Sequence, residues 1–271
     1  MMENSQKIVK QYYDQNTQYE WERFDRHPFE FAITTKFMER YVKPGDSILD
    51  IGGGPGRYSL HFLKKGNPVT LVDLSDSSVN FAKDQAQCMH LPLQAHVCDA
   101  LDVREQISGR FDHVFLMGPL YHLLKEEDRV RSVETALAML KPNGILYASF
   151  LMMFSGLIYL LSRDPEMILN PNEQVWLDAV RSETSWGGDA FTRAFFIDQD
   201  EIVPFMKQFS IEILHFFGQE GITSANNDYL MQQSGQVQSA LVDLALKLCE
   251  IPKYISHSEH AMVIARKMDN V

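Results

Sequence analysis

Ser47-Ile48-Leu49-Asp50-Ile51-Gly52-Gly53-Gly54-Pro55-Gly56-Arg57 is the stretch on which the fold turns. It reads as a short buried strand that breaks into a glycine turn and opens a helix. Glycine reaches positive φ without strain and carries no Cβ. The chain can therefore reverse sharply and bring bare amide N–H groups and a helix N-terminus against a ligand. Taken alone, such a turn specifies no particular ligand.

Two acidic strand ends narrow the choice. Pro68-Val69-Thr70-Leu71-Val72-Asp73 closes on a carboxylate about 20 residues beyond the glycines, the spacing at which an acid meets ribose hydroxyls. His96-Val97-Cys98-Asp99-Ala100 ends a third apolar run, again in Asp. This series of glycine turn, ribose carboxylate and second strand-end acid resembles the class I S-adenosylmethionine-dependent methyltransferases. A nicotinamide-binding Rossmann site is the near rival, since it also needs glycines and a ribose acid. Here the glycines read G-x-G-x-G, Arg57 stands where the third glycine of G-x-G-x-x-G belongs, and Asp50 precedes the turn. That pattern is closer to the methyltransferases.

Working outward, strands and helices alternate through the first half, as in a parallel sheet with crossover helices. Pro28 opens a helix in which Ile33, Phe37 and Tyr41 share a face, and Lys43-Pro44-Gly45 stops it. Strands are expected at 47–51, 69–73, 93–98, 111–117 and 145–150, with helices at 57–64 and 75–87. A helical stripe of Val130, Val133, Leu137 and Leu140 ends at Lys141-Pro142-Asn143-Gly144. The alternation then lapses for about 50 residues, a length typical of a functional insertion. Further strands are expected at 211–217 and 260–266, with a helix at 237–248.

The fold class that follows is α/β. The resemblance implies a doubly wound, seven-stranded, mostly parallel Rossmann-like sheet whose last two strands form an antiparallel hairpin edge, with helical insertions after strands five and six. A chain of 271 residues, 45% of them hydrophobic, can bury one full core. The expected organisation is a single domain over 1–271. It comprises an N-terminal helical lid at 1–44, a cofactor-binding core at 45–150, a substrate-covering insertion at 151–208 and a C-terminal hairpin with a helical insertion at 209–271.

The net charge of −11 disfavours a nucleic-acid partner, because affinity for phosphates comes from Lys and Arg. The opening Met1-Met2-Glu3-Asn4 lacks the basic, apolar and cleavage regions of a signal peptide, which predicts a cytoplasmic protein. Cys88, Cys98 and Cys249 are too few for a disulfide framework. Cys88 and His90 with His96 and Cys98 form two Cys/His pairs of the kind found around zinc, but Cys is more commonly just buried, and no metal is expected. Gly144 to Leu161 carries no charge and approaches the about 20 residues of a membrane span. A buried parallel strand running into an apolar helix reads the same way, and Ser149, Ser155 and Gly156 interrupt the run, so no membrane partner is expected.

The resemblance implies S-adenosylmethionine as cofactor and assigns roles by position. Gly52, Gly53, Gly54, Pro55 and Gly56 pass beneath its methionine part, and Asp50 reaches the ammonium. Asp73 accepts both ribose hydroxyls, with Asp73→Ala expected to weaken binding. Leu74 packs on adenine, Asp99 accepts from the adenine amine, Ala100 offers its N–H, and Met117 and Gly118 adjoin the reacting end. In similar enzymes the segment before the first strand lies over the cofactor, which makes Tyr12, Tyr19 and Trp21 candidates for the lid; anchoring a helix on the core is the plainer role for the same rings.

After the fourth strand, Met117-Gly118-Pro119-Leu120-Tyr121-His122 occupies the place where related enzymes set the acceptor. Nucleic-acid amino-methyltransferases carry an Asp or Asn, two prolines and an aromatic there. Gly118 and Leu120 depart from that pattern, which argues against adenine as acceptor. Direct displacement on a sulfonium needs alignment above all, and alignment supplies about 7–11 kcal/mol. If a base is needed, His122 is the first candidate, with Tyr121 as a positioning group; His122 can equally cap or pack a helix start. His122→Ala is expected to cut turnover and spare cofactor affinity. Tyr159, Arg193 and Glu220 are further acceptor contacts by position. Glu250-x-Pro252 and Ser258-x-His260 also resemble a group of bacterial class I enzymes. The expected activity is methyl transfer to a small, partly hydrophobic molecule. Methylation of RNA or protein, and a non-catalytic cofactor-binding protein, are the alternatives. The oligomeric state is not legible.

Overall fold

The computed structural model describes residues 4–268. The polar opening at Met1 to Glu3 and the last three residues of the expected domain lie outside them. Three helices come first, α1 (Asn4–Trp21), α2 (Arg23–Arg26) and α3 (Pro28–Met38). The chain then alternates through β1 (Ile48–Ile51), α4 (Arg57–Lys64), β2 (Val69–Asp73), α5 (Asp76–Cys88), β3 (Gln94–Val97), α6 (Val103–Gln106), β4 (Phe111–Leu116), α7 (Glu126–Met139) and β5 (Leu140–Leu151). An insertion follows, with α8 (Met153–Ser162), α9 (Gln174–Arg181), a hairpin of β6 (Trp186–Asp189) and β7 (Arg193–Phe196), and α10 (Gln199–Met206). β8 (Ile211–Gly218), α11 (Asn227–Met231), α12 (Gly235–Leu248), α13 (Pro252–Ile255) and β9 (His260–Lys267) complete it.

Seven strands form one sheet in the order β3-β2-β1-β4-β5-β9-β8, and only β9 runs against its neighbours. The expected doubly wound, mostly parallel sheet is therefore present. Period-two alternation assigns its two faces. Leu49, Ile51, Val114, Leu116, Leu146 and Val263 pack with Val133 and Ala136 of α7 in one layer. Ile48, Phe115, Tyr147 and Ile264 pack in the other with Phe37 of α3, Phe62 of α4 and Val242 of α12. Phe37 stacks on Phe217 with ring centroids 3.9 Å apart, which fixes α3 over β8. Each such buried ring contributes about 1.5–3 kcal/mol.

Several boundaries differ from the sequence reading. α3 stops at Met38, so Tyr41 lies beyond it, and its hydroxyl meets His215 Nε2 at 2.7 Å. α7 ends at Met139. Leu140 already pairs with Phe111, and the next pair, His113 with Ile145, leaves Lys141-Pro142-Asn143-Gly144 bulged out of the ladder. β8 and β9 pair antiparallel with a helical insertion between them, as expected; besides α12 it holds the short helices α11 and α13. The insertion after β5 is not purely helical, because Gly187 and Gly188 hid the β6–β7 hairpin. It has a small core of its own, in which Trp176 packs against Gly156 among Met153, Leu160, Leu177 and Phe196. The uncharged stretch 144–161 divides between buried β5 and α8, and among the described residues no helix is long and apolar enough to cross a membrane.

Candidate functional site

The strand order sets the order of the site residues. Read from β3 across to β8, the same edge of the sheet presents Asp99, Asp73, Gly52, Met117, Ser149, His260 and Gln219, and all seven line one groove. Ligands of open α/β sheets bind in the crevice at the carboxyl ends of the strands.

The glycine turn is shaped by contact as well as by conformation. Gly52 and Gly54 have φ of +73° and +54°. A Cβ on Gly52 would come within 2.6 Å of Pro119 Cδ, so the turn lies directly against the loop after β4. At Gly54 no heavy atom lies within 4 Å of a Cβ position, which leaves its backbone face open to the groove. Asp73 Oδ2 accepts from Gly54 N and Oδ1 from Ser75 N, each at 2.8 Å. A carboxylate has about four lone-pair sites, so capacity remains for further donors. Burial pushes the Asp73 carboxyl up to about 6. Asp50, beneath the turn, accepts from Ser59 Oγ at 2.7 Å, and burial, reinforced by the Asp73 charge, pushes it up to about 7.

Pro55, Leu74 and Ala100 line the same groove beside these groups, as do Gly53, Met117 and Gly118. Gly56 does not line it. Its φ of +89° and its approach to Ala82 make it the left-handed entry to α4. Asp99 accepts from Leu101 N at 3.0 Å, and its second oxygen is bonded by Gln6 Nε2 of α1. Arg57, which replaces the dehydrogenase glycine, donates to the Trp21 carbonyl at 2.9 Å and pairs with Asp25, tying the N-terminal helices to α4.

α1 covers the groove, but through different residues from those expected. Gln6, Val9, Tyr13 and Glu20 form its inner face, spaced by three, four and seven residues. Tyr12 and Tyr19 do not line the groove. Tyr12 turns aside to Glu20 and Phe191, while Tyr19 is mostly exposed beneath the Arg26 guanidinium. Trp21 packs on Phe81 and Arg57, which is the anchoring role. Asp14 fastens α1 to α5 by accepting from Ser75 Oγ at 2.6 Å and pairing with Lys10, which also bonds Asp76.

His122 lies under α1 with both ring nitrogens engaged. Its Nδ1 is 2.9 Å from the Arg193 carbonyl oxygen and its Nε2 is 2.7 Å from the Tyr13 hydroxyl. A carbonyl only accepts, so the proton sits on Nδ1, and Nε2 accepts from the phenol. Burial pushes the imidazole down to about 4. Tyr121 donates to the Met117 carbonyl at 2.8 Å and is buried. Among the other acceptor candidates, Tyr159 is exposed, Arg193 meets the site through its backbone, and Glu220 is buried behind His260.

Four residues at this end that position alone did not single out are Arg23, Glu30, Tyr58 and Gln219, all lining the groove. The Ser258-x-His260 pattern has a structural reading here. Ser258 Oγ accepts from the N–H groups of Glu220 and Gly221 at 3.1 and 2.6 Å, and His260 N donates to Glu220 Oε2 at 2.9 Å. Both residues thus hold the Glu220 turn. The Cys88/His90 and His96/Cys98 pairs do not converge. Among the described residues, the one group of three with metal-ligating geometry is Glu30, Glu220 and His260.

Residues 48–144 match the family model described as a methyltransferase domain. The ubiquinone biosynthesis O-methyltransferase of Coxiella burnetii is 30% identical over 118 residues, 43% of this chain and 49% of that protein. The glycine/sarcosine N-methyltransferase of Parasynechococcus marenigrum is 34% identical over 101 residues, 37% of this chain and 36% of that protein. The chain thus spans half or less of the length of these curated relatives. Magnesium protoporphyrin IX methyltransferase from Synechocystis PCC 6803, solved with bound S-adenosylhomocysteine, shares the fold with a TM-score of 0.59 at 14% identity, over 97% of this chain and all of that one. The glycine turn, Asp73, Asp99 and the first four strands all fall inside the segment that matches the methyltransferase-domain model, and the fold is that of solved S-adenosylmethionine-dependent methyltransferases.

Proposed function

We propose that the protein transfers the methyl group of S-adenosylmethionine to a small, partly hydrophobic molecule. The observation that carries this reading is the continuity of the groove along the sheet edge. From the Asp73 and Asp99 end it passes the open backbone of Gly54 and reaches a chamber lined by Phe24, Tyr58, Tyr121 and His260. The chain's own residues fit the cofactor. Asp73 has lone pairs left for ribose hydroxyls, and Asp50 sits where an ammonium would favour its ionised form. Asp99 and Ala100 line the groove beside Asp73, which supports an adenine there whose amine would share Asp99 with Gln6. When bound, the cofactor supplies an electrophilic methyl group.

The covering α1 and the insertion leave a chamber suited to a compact acceptor, and the charge of −11 suits neither RNA nor DNA. The two curated relatives are named for methylation of oxygen in one case and nitrogen in the other, so likeness to them leaves the acceptor atom open. Calorimetric titration with S-adenosylhomocysteine, with NAD as control, tests the cofactor assignment. Binding of the former alone supports it, and binding of NAD alone overturns it. Radiolabelled methyl transfer to small-molecule pools then separates an enzyme from a non-catalytic binder.

A further inference from the structure

The chamber beyond the glycine turn holds an unusual grouping of buried ionisable side chains. Glu30 and Glu220 are each 4% exposed and His260 is 7% exposed, and a potential ligand atom from each lies within 4.8 Å of the other two. Arg23 pairs with Glu30 at 2.8 Å. His260 Nδ1 lies 2.7 Å from Glu220 Oε1, which places its proton on Nδ1 and leaves a lone pair on Nε2. Arg23 Nη2 is 3.4 Å from both ring nitrogens, so it points squarely at neither.

The charges do not balance. Glu20 also lines the groove, and Glu259 lies against this group with its carboxylate on Ser224. Among the described residues, two buried and two half-buried carboxylates thus lie about the Arg23 guanidinium, which pairs with Glu30 alone. Burial pushes Glu30 up to about 7 and raises Glu220 and Glu259, and like-charge repulsion adds to the shifts of Glu30 and Glu259. Such an excess is relieved by an incoming cation or donor. A second observation points the same way. The Tyr58 hydroxyl lines this chamber, is nine-tenths buried, makes no well-formed hydrogen bond among the described residues although Thr34 lies beside it, and feels the charges of Glu30, Arg23 and Glu220. A buried orphan hydroxyl costs about 1–3 kcal/mol, which a ligand group would offset.

We propose that Glu30 and His260, with Glu220 behind the imidazole, bind the protonated amine of the methyl acceptor. This deepens the methyltransferase reading and rests on it. Glu30 accepts from the ammonium, and Tyr58 adds an oxygen. Burial and the Arg23 charge push the His260 imidazole down to about 4, so it stays neutral and its Nε2 lone pair accepts from the ammonium beside Glu30. Glu220 is a positioning residue, acting through His260.

The test uses full-length, histidine-labelled protein saturated with S-adenosylhomocysteine, observed by nitrogen NMR. Benzylammonium, benzoate and manganese are the probes. Benzylammonium is expected to bind and to shift the His260 Nε2 resonance, while benzoate leaves it in place. Glu30→Gln should weaken benzylammonium about tenfold or more, the loss of one charge-assisted hydrogen bond. Tyr58→Phe, which removes only the orphan hydroxyl, should weaken it without lowering the melting temperature. Glu220→Gln should move His260 Nδ1 and redistribute its tautomers, an effect that a merely structural role would not produce. Binding of benzoate as well as benzylammonium, binding of neither, or tighter binding of manganese at the same residues would each overturn the proposal. Failure of S-adenosylhomocysteine to bind at the outset overturns the methyltransferase reading with it, so the two failures are distinguishable.

Discussion

Tyr13 and His122 meet across the groove, phenol oxygen to Nε2 at 2.7 Å, and join the covering helix to the loop after β4. With Nδ1 donating to the Arg193 carbonyl, the imidazole has no free nitrogen and is held neutral. It therefore acts as a latch between α1, the β4 loop and the β6–β7 hairpin. The expectation that His122→Ala spares cofactor affinity is replaced by its opposite. His122→Ala and Tyr13→Phe should each weaken S-adenosylhomocysteine by about 5- to 100-fold, the range for a lost buried hydrogen bond. The double variant should be little worse than either single one, since both remove the same contact. Additive losses in calorimetric titration would refute the latch.

Asp73 holds Gly54 and Ser75 by their N–H groups, and the proposed function gives it the ribose hydroxyls as well. Asp73→Ala should weaken cofactor binding by about 10-fold or more and also lower the melting temperature, because the glycine turn loses its tether. Asp73→Asn keeps one acceptor oxygen and should lower the melting temperature less. A variant that binds normally would remove Asp73 from the site.

Gly52 should be the least replaceable of the turn glycines. Alanine there combines left-handed strain with a 2.6 Å approach to the Pro119 ring. Gly109, at φ +94°, has open space around it and bears the strain alone. Gly52→Ala should therefore cost about 2–4 kcal/mol in urea denaturation and Gly109→Ala about 1–2. Equal losses would mean that the Pro119 contact relaxes freely.

Asp50 should make cofactor binding depend on pH. Burial raises its carboxyl to about 7, and an adjacent ammonium would favour the carboxylate and lower that value again. Binding should then release a proton below about pH 7, and affinity should fall as the pH drops toward 5. Titrations in two buffers of different ionisation enthalpy measure the release directly. Asp50→Asn should abolish it, and a persisting release would assign the proton to another group.

Local pattern made the glycine-turn and strand-end half of the groove legible. Glycine turn, strand ends and helix starts lie within a few residues of their own signals, and the boundaries of α4 and β2 match the expected ones. Tyr13 escaped because several aromatics crowd that segment. The signal that separates it from Tyr12 and Tyr19 is the shared helical face with Gln6 and Val9. Arg23 and Glu30 escaped, and His260 showed only as part of a resemblance pattern, for a different reason. They come from opposite ends of the chain, and only the passage of β9 between β5 and β8 brings them together. The β6–β7 hairpin was hidden because Trp186-Gly187-Gly188-Asp189 has too few side chains to show alternation.

The placement of β9 also bears on how the protein is made. Seven residues of β5, Ile145 to Leu151, find their outer partners only in β9, near the end of the described chain. During synthesis the cofactor-binding strands can assemble while this apolar border still waits for its neighbour. An unpaired strand border invites pairing with other chains. Ribosomes stalled late in translation, or products cut short before residue 260, would thus release a nascent chain with its stickiest backbone uncovered, dependent on chaperones for solubility.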